Sequence, residues 1–216
     1  AYLDYNNTDG LEFDGLLNAT EVVFLDVATG ATTTVPVGFA ADRILFDQED
    51  TKAVIFSESK VVVVELESGN YERLVTYSLS QDVDIQVHPQ DAALTPDGRY
   101  ALVTVQGSGD LYTLDLEAES INIVDLDASP SGMGVEETYD TTALVYASRA
   151  QVDVLDHEYF DVETLALDEP ATDVQIGNGF AMLYNTGASN YHDIYRLDTE
   201  DLNLVEYRAK NPVVEL

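Results

Sequence analysis

The chain has no cysteine, which excludes disulfide staples and thiolate metal sites and fits any redox compartment. Basic residues are scarce too. Nine lysines and arginines face 41 acids, for a net charge of −32, and the only lysines are Lys52, Lys60 and Lys210. Such a surface repels nucleic-acid phosphates and anionic lipid, so neither is expected as a partner. Apolar runs stop after a few residues, as in Val61 to Val64, so membrane insertion is not expected. Helical patterns of three or more turns are missing, and β-branched residues dominate the apolar positions. Hydrophobic residues still make up 45% of the 216, enough for a large core and against compositional disorder.

What the chain does have is repetition. The runs Lys52-Ala53-Val54-Ile55-Phe56, Tyr100-Ala101-Leu102-Val103-Thr104, Thr142-Ala143-Leu144-Val145-Tyr146 and Phe180-Ala181-Met182-Leu183-Tyr184 align on their alanines at steps of 48, 42 and 38 residues. A second family comprises Phe24-Leu25-Asp26, Val63-Val64-Glu65, Thr113-Leu114-Asp115, Val154-Leu155-Asp156 and Arg196-Leu197-Asp198. Its acidic residues are 39, 50, 41 and 42 apart. Five copies of a four-strand unit of about 40–45 residues specify an all-β fold, a β-propeller of about five four-stranded blades. The expected arrangement is one propeller domain over 1–216, with repeats near 1–40, 41–88, 89–131, 132–172 and 173–216.

The second repeat reads most clearly. Arg43-Ile44-Leu45-Phe46 is its inner strand, and strands over 53–56, 61–66 and 72–77 follow, separated by polar turns. In the third repeat, Leu94-Thr95-Pro96-Asp97-Gly98-Arg99-Tyr100-Ala101-Leu102-Val103 reads as a hairpin. Proline fixes φ at the first corner, aspartate bonds back to the backbone, and glycine takes the positive-φ position. With Val22-Val23-Phe24-Leu25-Asp26-Val27 and Leu111-Tyr112-Thr113-Leu114-Asp115-Leu116 as third strands, the chain resembles the YVTN/TolB-type (WD40-like) propeller repeats of secreted and periplasmic proteins. The fourth and fifth repeats depart from that pattern, with Glu136-Glu137-Thr138-Tyr139-Asp140 and Gly177-Asn178-Gly179 in place of the proline turn. The resemblance implies the fold and an extracellular or periplasmic location.

Pro212-Val213-Val214-Glu215-Leu216 reads as an inner strand with no blade after it, while 1–37 reads as a blade without an inner strand. Pairing the two ends would close a ring and remove its open edges. The alternative is a fragment of a larger propeller. Ala1-Tyr2-Leu3-Asp4 carries no initiator methionine and no charged-then-apolar leader, so a signal peptide is expected to have been removed.

The acids are spread through nearly every turn. They read as a solvated coat suited to a salty habitat, where screening acts over roughly 8 Å or less. Ca²⁺ is the one cofactor those carboxylates leave open. Asp4-Tyr5-Asn6-Asn7-Thr8-Asp9-Gly10 fails the EF-hand register, because glycine falls seventh rather than sixth. Asn6-Asn7-Thr8 and Asn18-Ala19-Thr20 fit the glycosylation acceptor pattern. His157, in Asp156-His157-Glu158, reads as a solvated turn residue, and His192 reads likewise in the loop 185–193. Neither histidine spacing nor a Gly-x-Ser-x-Gly elbow points to catalysis.

Topology supplies the candidates. Loops entering the inner strands carry Arg43, His88, Asp91, Asp173 and Asn211, one or two per blade. Arg43 would clamp a carboxylate, His88 would be pH-responsive, and the others would accept hydrogen bonds or share a cation. The expected function is a non-catalytic binding or scaffold module taking a protein or glycan through loops such as 128–134 and 185–193. The alternative is a divalent-metal-assisted hydrolase or lyase of lactonase type, using polar residues at the channel mouth.

Overall fold

The protein is described here from a computed structural model, for residues 2–3, 20–38, 40–57, 59–66, 69, 71–80, 87–186 and 193–208. Nineteen strands and no helix occur among the described residues. They form five antiparallel sheets, and the fold class is an all-β propeller of about five blades. The first sheet runs β1 (Tyr2–Leu3), β2 (Glu21–Leu25), β3 (Thr32–Pro36). The second runs β4 (Arg43–Phe46), β5 (Lys52–Phe56), β6 (Lys60–Glu65), β7 (Arg73–Ser78). The third contains β8 (Pro89–Leu94), β9 (Tyr100–Val105), β10 (Asp110–Asp115) and β11 (Ser120–Asp125). The fourth contains β12 (Gly132–Glu136), β13 (Thr141–Val145), β14 (Gln151–Asp156) and β15 (Val162–Ala166). The fifth contains β16 (Asp173–Gly177), β17 (Phe180–Tyr184), β18 (Asp193–Asp198) and β19 (Leu204–Arg208).

Each four-stranded sheet pairs its strands in chain order, the meander that short polar turns dictate. The strand expected over 212–216, and any pairing of the chain ends, lie outside the described residues. So do 4–10, Asn18, Ala19, His192 and Asn211.

Contacts divide the chain into two compact units. The first comprises Ala1–Pro89 with Leu116–Ser120, and the second Gln90–Asp115 with Ile121–Leu216. In the first unit, Val22, Phe24, Val35, Val37, Ala53, Ile55, Val62 and Val64 form one core between its two sheets. Phe24 stacks on Tyr71 with ring centroids 4.8 Å apart. The second unit has two cores. Leu102, Leu111, Leu144, Tyr146 and Leu155 join the third and fourth sheets, and Ala143, Val145, Val152, Ala181, Leu183, Tyr195 and Leu197 join the fourth and fifth.

Middle strands such as β6 are buried on both faces, which explains why they read as unbroken apolar runs rather than alternating ones. Outer strands such as β11 and β15 are largely exposed and carry the polar residues.

The turns follow local chemistry. Gly98 adopts φ 66° and donates its N–H to the Thr95 carbonyl at 2.9 Å. At the inner turns of the second and fourth sheets that left-handed place is taken by Asp50 and Asp140, at φ 55° and 50°. Aspartate tolerates it better than most residues.

Two features fix β12 against β16. Gly132 and Gly134 leave no room for a side chain: a Cβ on Gly132 would lie 2.8 Å from the Thr172 carbonyl, and one on Gly134 2.7 Å from Ile176 Cγ1. At the end of β12 the Glu136 carboxylate is buried, 1% exposed. It accepts the N–H groups of Thr138, Tyr139 and Gly179, each at 2.9 Å, and the Thr199 hydroxyl at 3.4 Å. Burial by itself would raise its pKa. The Gly179, Thr138 and Tyr139 hydrogen bonds together outweigh burial and hold it at about 2.

Candidate functional site

Within the second unit, the turns that follow β8, β12, β14 and β18 form two adjoining clefts. One, of about 430 Å³, is lined by residues including Asp97, Arg99, Tyr100, Asp140, His157 and Glu158. The other, of about 610 Å³, is lined by residues including Thr141, Asp161, Glu163, Thr164 and Glu200. Tyr139 and Asp156 line both, so the clefts share a wall. Asp156 is placed by its own turn, Oδ1 accepting the N–H groups of Glu158 at 2.9 Å and Tyr159 at 2.8 Å. Tyr139 donates its hydroxyl to Glu200 Oε2 at 2.8 Å, bridging the fourth and fifth sheets, and this bond is the main reason its pKa is raised.

Seven acids (Asp97, Asp140, Asp156, Glu158, Asp161, Glu163 and Glu200) line the pair of clefts with one base, Arg99. That guanidinium is already engaged. Its Nη2 lies 3.0 Å from Asp115 Oδ2, and its Cζ lies 4.8 Å above the Tyr100 ring. Tyr139, 39% exposed, adds aromatic surface to both clefts; Tyr159, 71% exposed, lies in the turn after β14 next to the lining residue Glu158.

His157 corrects the sequence reading. It is buried, 7% exposed, rather than a solvated turn residue. Its backbone N–H donates to the Asp140 carbonyl, and ring Nε2 lies 2.7 Å from Thr142 Oγ1. The turn folds the ring inward against β13, and burial pushes its pKa down even though Asp140, Asp156 and Asp97 pull the other way.

The candidates named from topology lie elsewhere. Arg43 heads β4 and is half-buried, and His88 is exposed just before β8; both belong to the first unit. In the second unit, Asp91 and Asp173 sit near the entry ends of β8 and β16, whereas the clefts open at the exit ends. Asp91 Oδ1 accepts the Ala92 N–H at 2.8 Å. Asp173 Oδ2 accepts the Thr186 hydroxyl at 2.7 Å and the Thr172 hydroxyl. The sequence reading passed over Tyr139, Asp140 and Asp156. Their one signal was an acidic and aromatic turn recurring at Thr138-Tyr139-Asp140 and Asp156-His157-Glu158-Tyr159.

Among the described residues no group of three or more acids and histidines is arranged to hold a metal ion. Among the same residues no helix is long and apolar enough to cross a membrane.

No known family profile matches the chain, and no curated protein matches it. Solved structures do. The dihydro-heme d1 dehydrogenase NirN superposes with a TM-score of 0.68 at 14% identity over 90% of this chain and 42% of its own. Saccharomyces cerevisiae Sqt1 gives 0.63 at 12% identity, covering 91% of this chain and 59% of its own. The WD40 repeats of RRP9 give 0.58 at 11%, covering 78% and 51%. The chain thus spans about half the length of the structures it matches. At these identities the likeness establishes the propeller fold alone.

Proposed function

We propose that this chain is a non-catalytic binding propeller of YVTN/TolB type, secreted or periplasmic, that captures a protein partner at the two clefts of its second unit. The observation that supports this reading is the shared wall of Tyr139 and Asp156. It joins turns from three successive sheets into one broad surface with exposed tyrosines. Tyrosine gives large contact area at low entropic cost, and loops on a rigid sheet scaffold are where binding concentrates. The carboxylates of Asp91 and Asp173, by contrast, are engaged by neighbouring backbone and hydroxyl groups.

A photo-cross-linking residue placed at Tyr159, and separately at His88, tests the proposal in extracts of the source organism. One protein captured from position 159, then shown to bind the purified chain, is the expected result. Capture of that protein only from position 88 would move the site to the inner-strand entries. Metal-dependent turnover of a lactone by the parent chain would overturn the non-catalytic reading.

A further inference from the structure

Two residues of the cleft walls each carry a buried polar atom with no hydrogen-bond partner: His157 at Nδ1 and Thr141 at its hydroxyl. Both residues are more than nine-tenths buried, and each lines one of the adjoining clefts. A buried polar atom left unpaired is destabilising, so a complementary group brought to either residue would be stabilised there.

The kind of group follows from proton placement and charge. If His157 Nε2–H donates to Thr142 Oγ1, Nδ1 keeps its lone pair and requires a donor. In the opposite tautomer Nδ1–H requires an acceptor, which would have to enter beside Asp97, Asp140, Asp156 and Glu158. Four carboxylates disfavour an incoming anion and favour a cation, and Arg99 is already paired with Asp115. Tyr100 already carries the Arg99 guanidinium over its face, and Tyr139 offers a second ring on the shared wall.

We infer that the smaller cleft receives a basic side chain, a lysine ammonium or an arginine guanidinium, presented by a segment of the partner protein and donating to His157 Nδ1. The inference rests on the proposed binding function and specifies its ligand. Because the whole chain is acidic, attraction alone is not the signature; the imidazole is.

The test uses the full chain with ¹⁵N-labelled histidine, which has only three histidine rings to resolve. The probes are a blocked glycine–arginine pentapeptide, its lysine and glutamate counterparts, and spermidine. The arginine or lysine peptide should shift the His157 ring nitrogens and leave His88 unmoved. Asp97→Asn with Asp140→Asn should weaken that peptide about tenfold. Glu49→Gln with Glu72→Gln, an equal charge change outside the clefts, should leave affinity within about twofold.

Equal weakening by the two pairs, or an unmoved His157 ring at saturation, would overturn the inference, as would preference for the glutamate peptide. Spermidine matching the peptides would replace a partner segment with a free amine and overturn it also. A partner cross-linked from position 159 while basic peptides fail would remove this inference and leave the binding site standing. Peptide binding at His157 with no cross-linked partner would do the reverse.

Discussion

The Tyr146 hydroxyl donates to Asp153 Oδ2 across 2.5 Å, and neither side chain reaches solvent. Asp153 Oδ1 takes the Thr164 hydroxyl at 2.7 Å and the Gln151 amide at 3.3 Å, so one buried carboxylate ties β14 and β15 to the residue that follows β13. Burial and the bond to Asp153 push the Tyr146 pKa well up. Tyr146→Phe leaves that charge short of a donor and should cost about 1–3 kcal/mol, read as a lower urea midpoint. The phenol's raised pKa adds stability below the unfolded value near 10, lost as pH rises beyond it. Tyr146→Phe should therefore flatten the alkaline limb of the stability curve.

Glu136 should govern the acid side. Its folded pKa of about 2 lies below the ordinary 4.5, so its contribution is fully present above 4.5 and lost as pH falls toward 2. The shift corresponds to about 3 kcal/mol at most. Glu136→Gln puts an amide group among three N–H donors. It should destabilise the protein at pH 7 and remove most of the slope between those values in urea titrations.

His157 acts in a higher window. Burial lowers its folded pKa, so the folded state favours the neutral ring, while the unfolded chain takes up a proton near 6.5. Stability is complete above that value and declines as pH falls below it. Melting temperatures of His157→Gln and parent, compared between about pH 5 and 8, should show the variant with the shallower decline.

The close approach of β12 to β16 makes a graded pair. A methyl at Gly132 meets the Thr172 backbone carbonyl, which has nowhere to go, and a methyl at Gly134 meets the movable end of Ile176. Gly132→Ala should cost about 1–3 kcal/mol and Gly134→Ala less, both measurable by chemical denaturation.

The acidic coat should respond to ions. With −32 net charge, raising NaCl to about 1 M should lift the melting temperature by screening self-repulsion. Ca²⁺ at matched ionic strength should add nothing further; an additional shift would reveal specific sites.

Much of the strand pattern was legible in the sequence, for a physical reason. Val61–Val64 and Ala53–Phe56 are buried on both faces of their sheet, so burial writes itself as continuous apolar runs. Pro96-Asp97-Gly98 was legible because turn geometry is set locally, whereas Asp140 does glycine's work without glycine's signature. The clefts were not legible. Tyr139 and its partner Glu200 are 61 residues apart, and nothing local marks either. Glu136 looked like one acid among 41; its role exists only because Gly179 and Thr199 come to it. His157 was misread because a turn histidine is ordinarily solvated, and the strand that covers it, bearing Thr142, sits in a different part of the repeat.

The glycines at 132 and 134 let the β12 backbone lie close against the Thr172 to Ile176 stretch. Repeats that look alike in sequence are therefore not exchangeable parts. Duplicating or shuffling the fourth repeat would seat those glycines against a strand shaped for a different face. That fitted seam makes the boundary between the fourth and fifth repeats a poor place to splice.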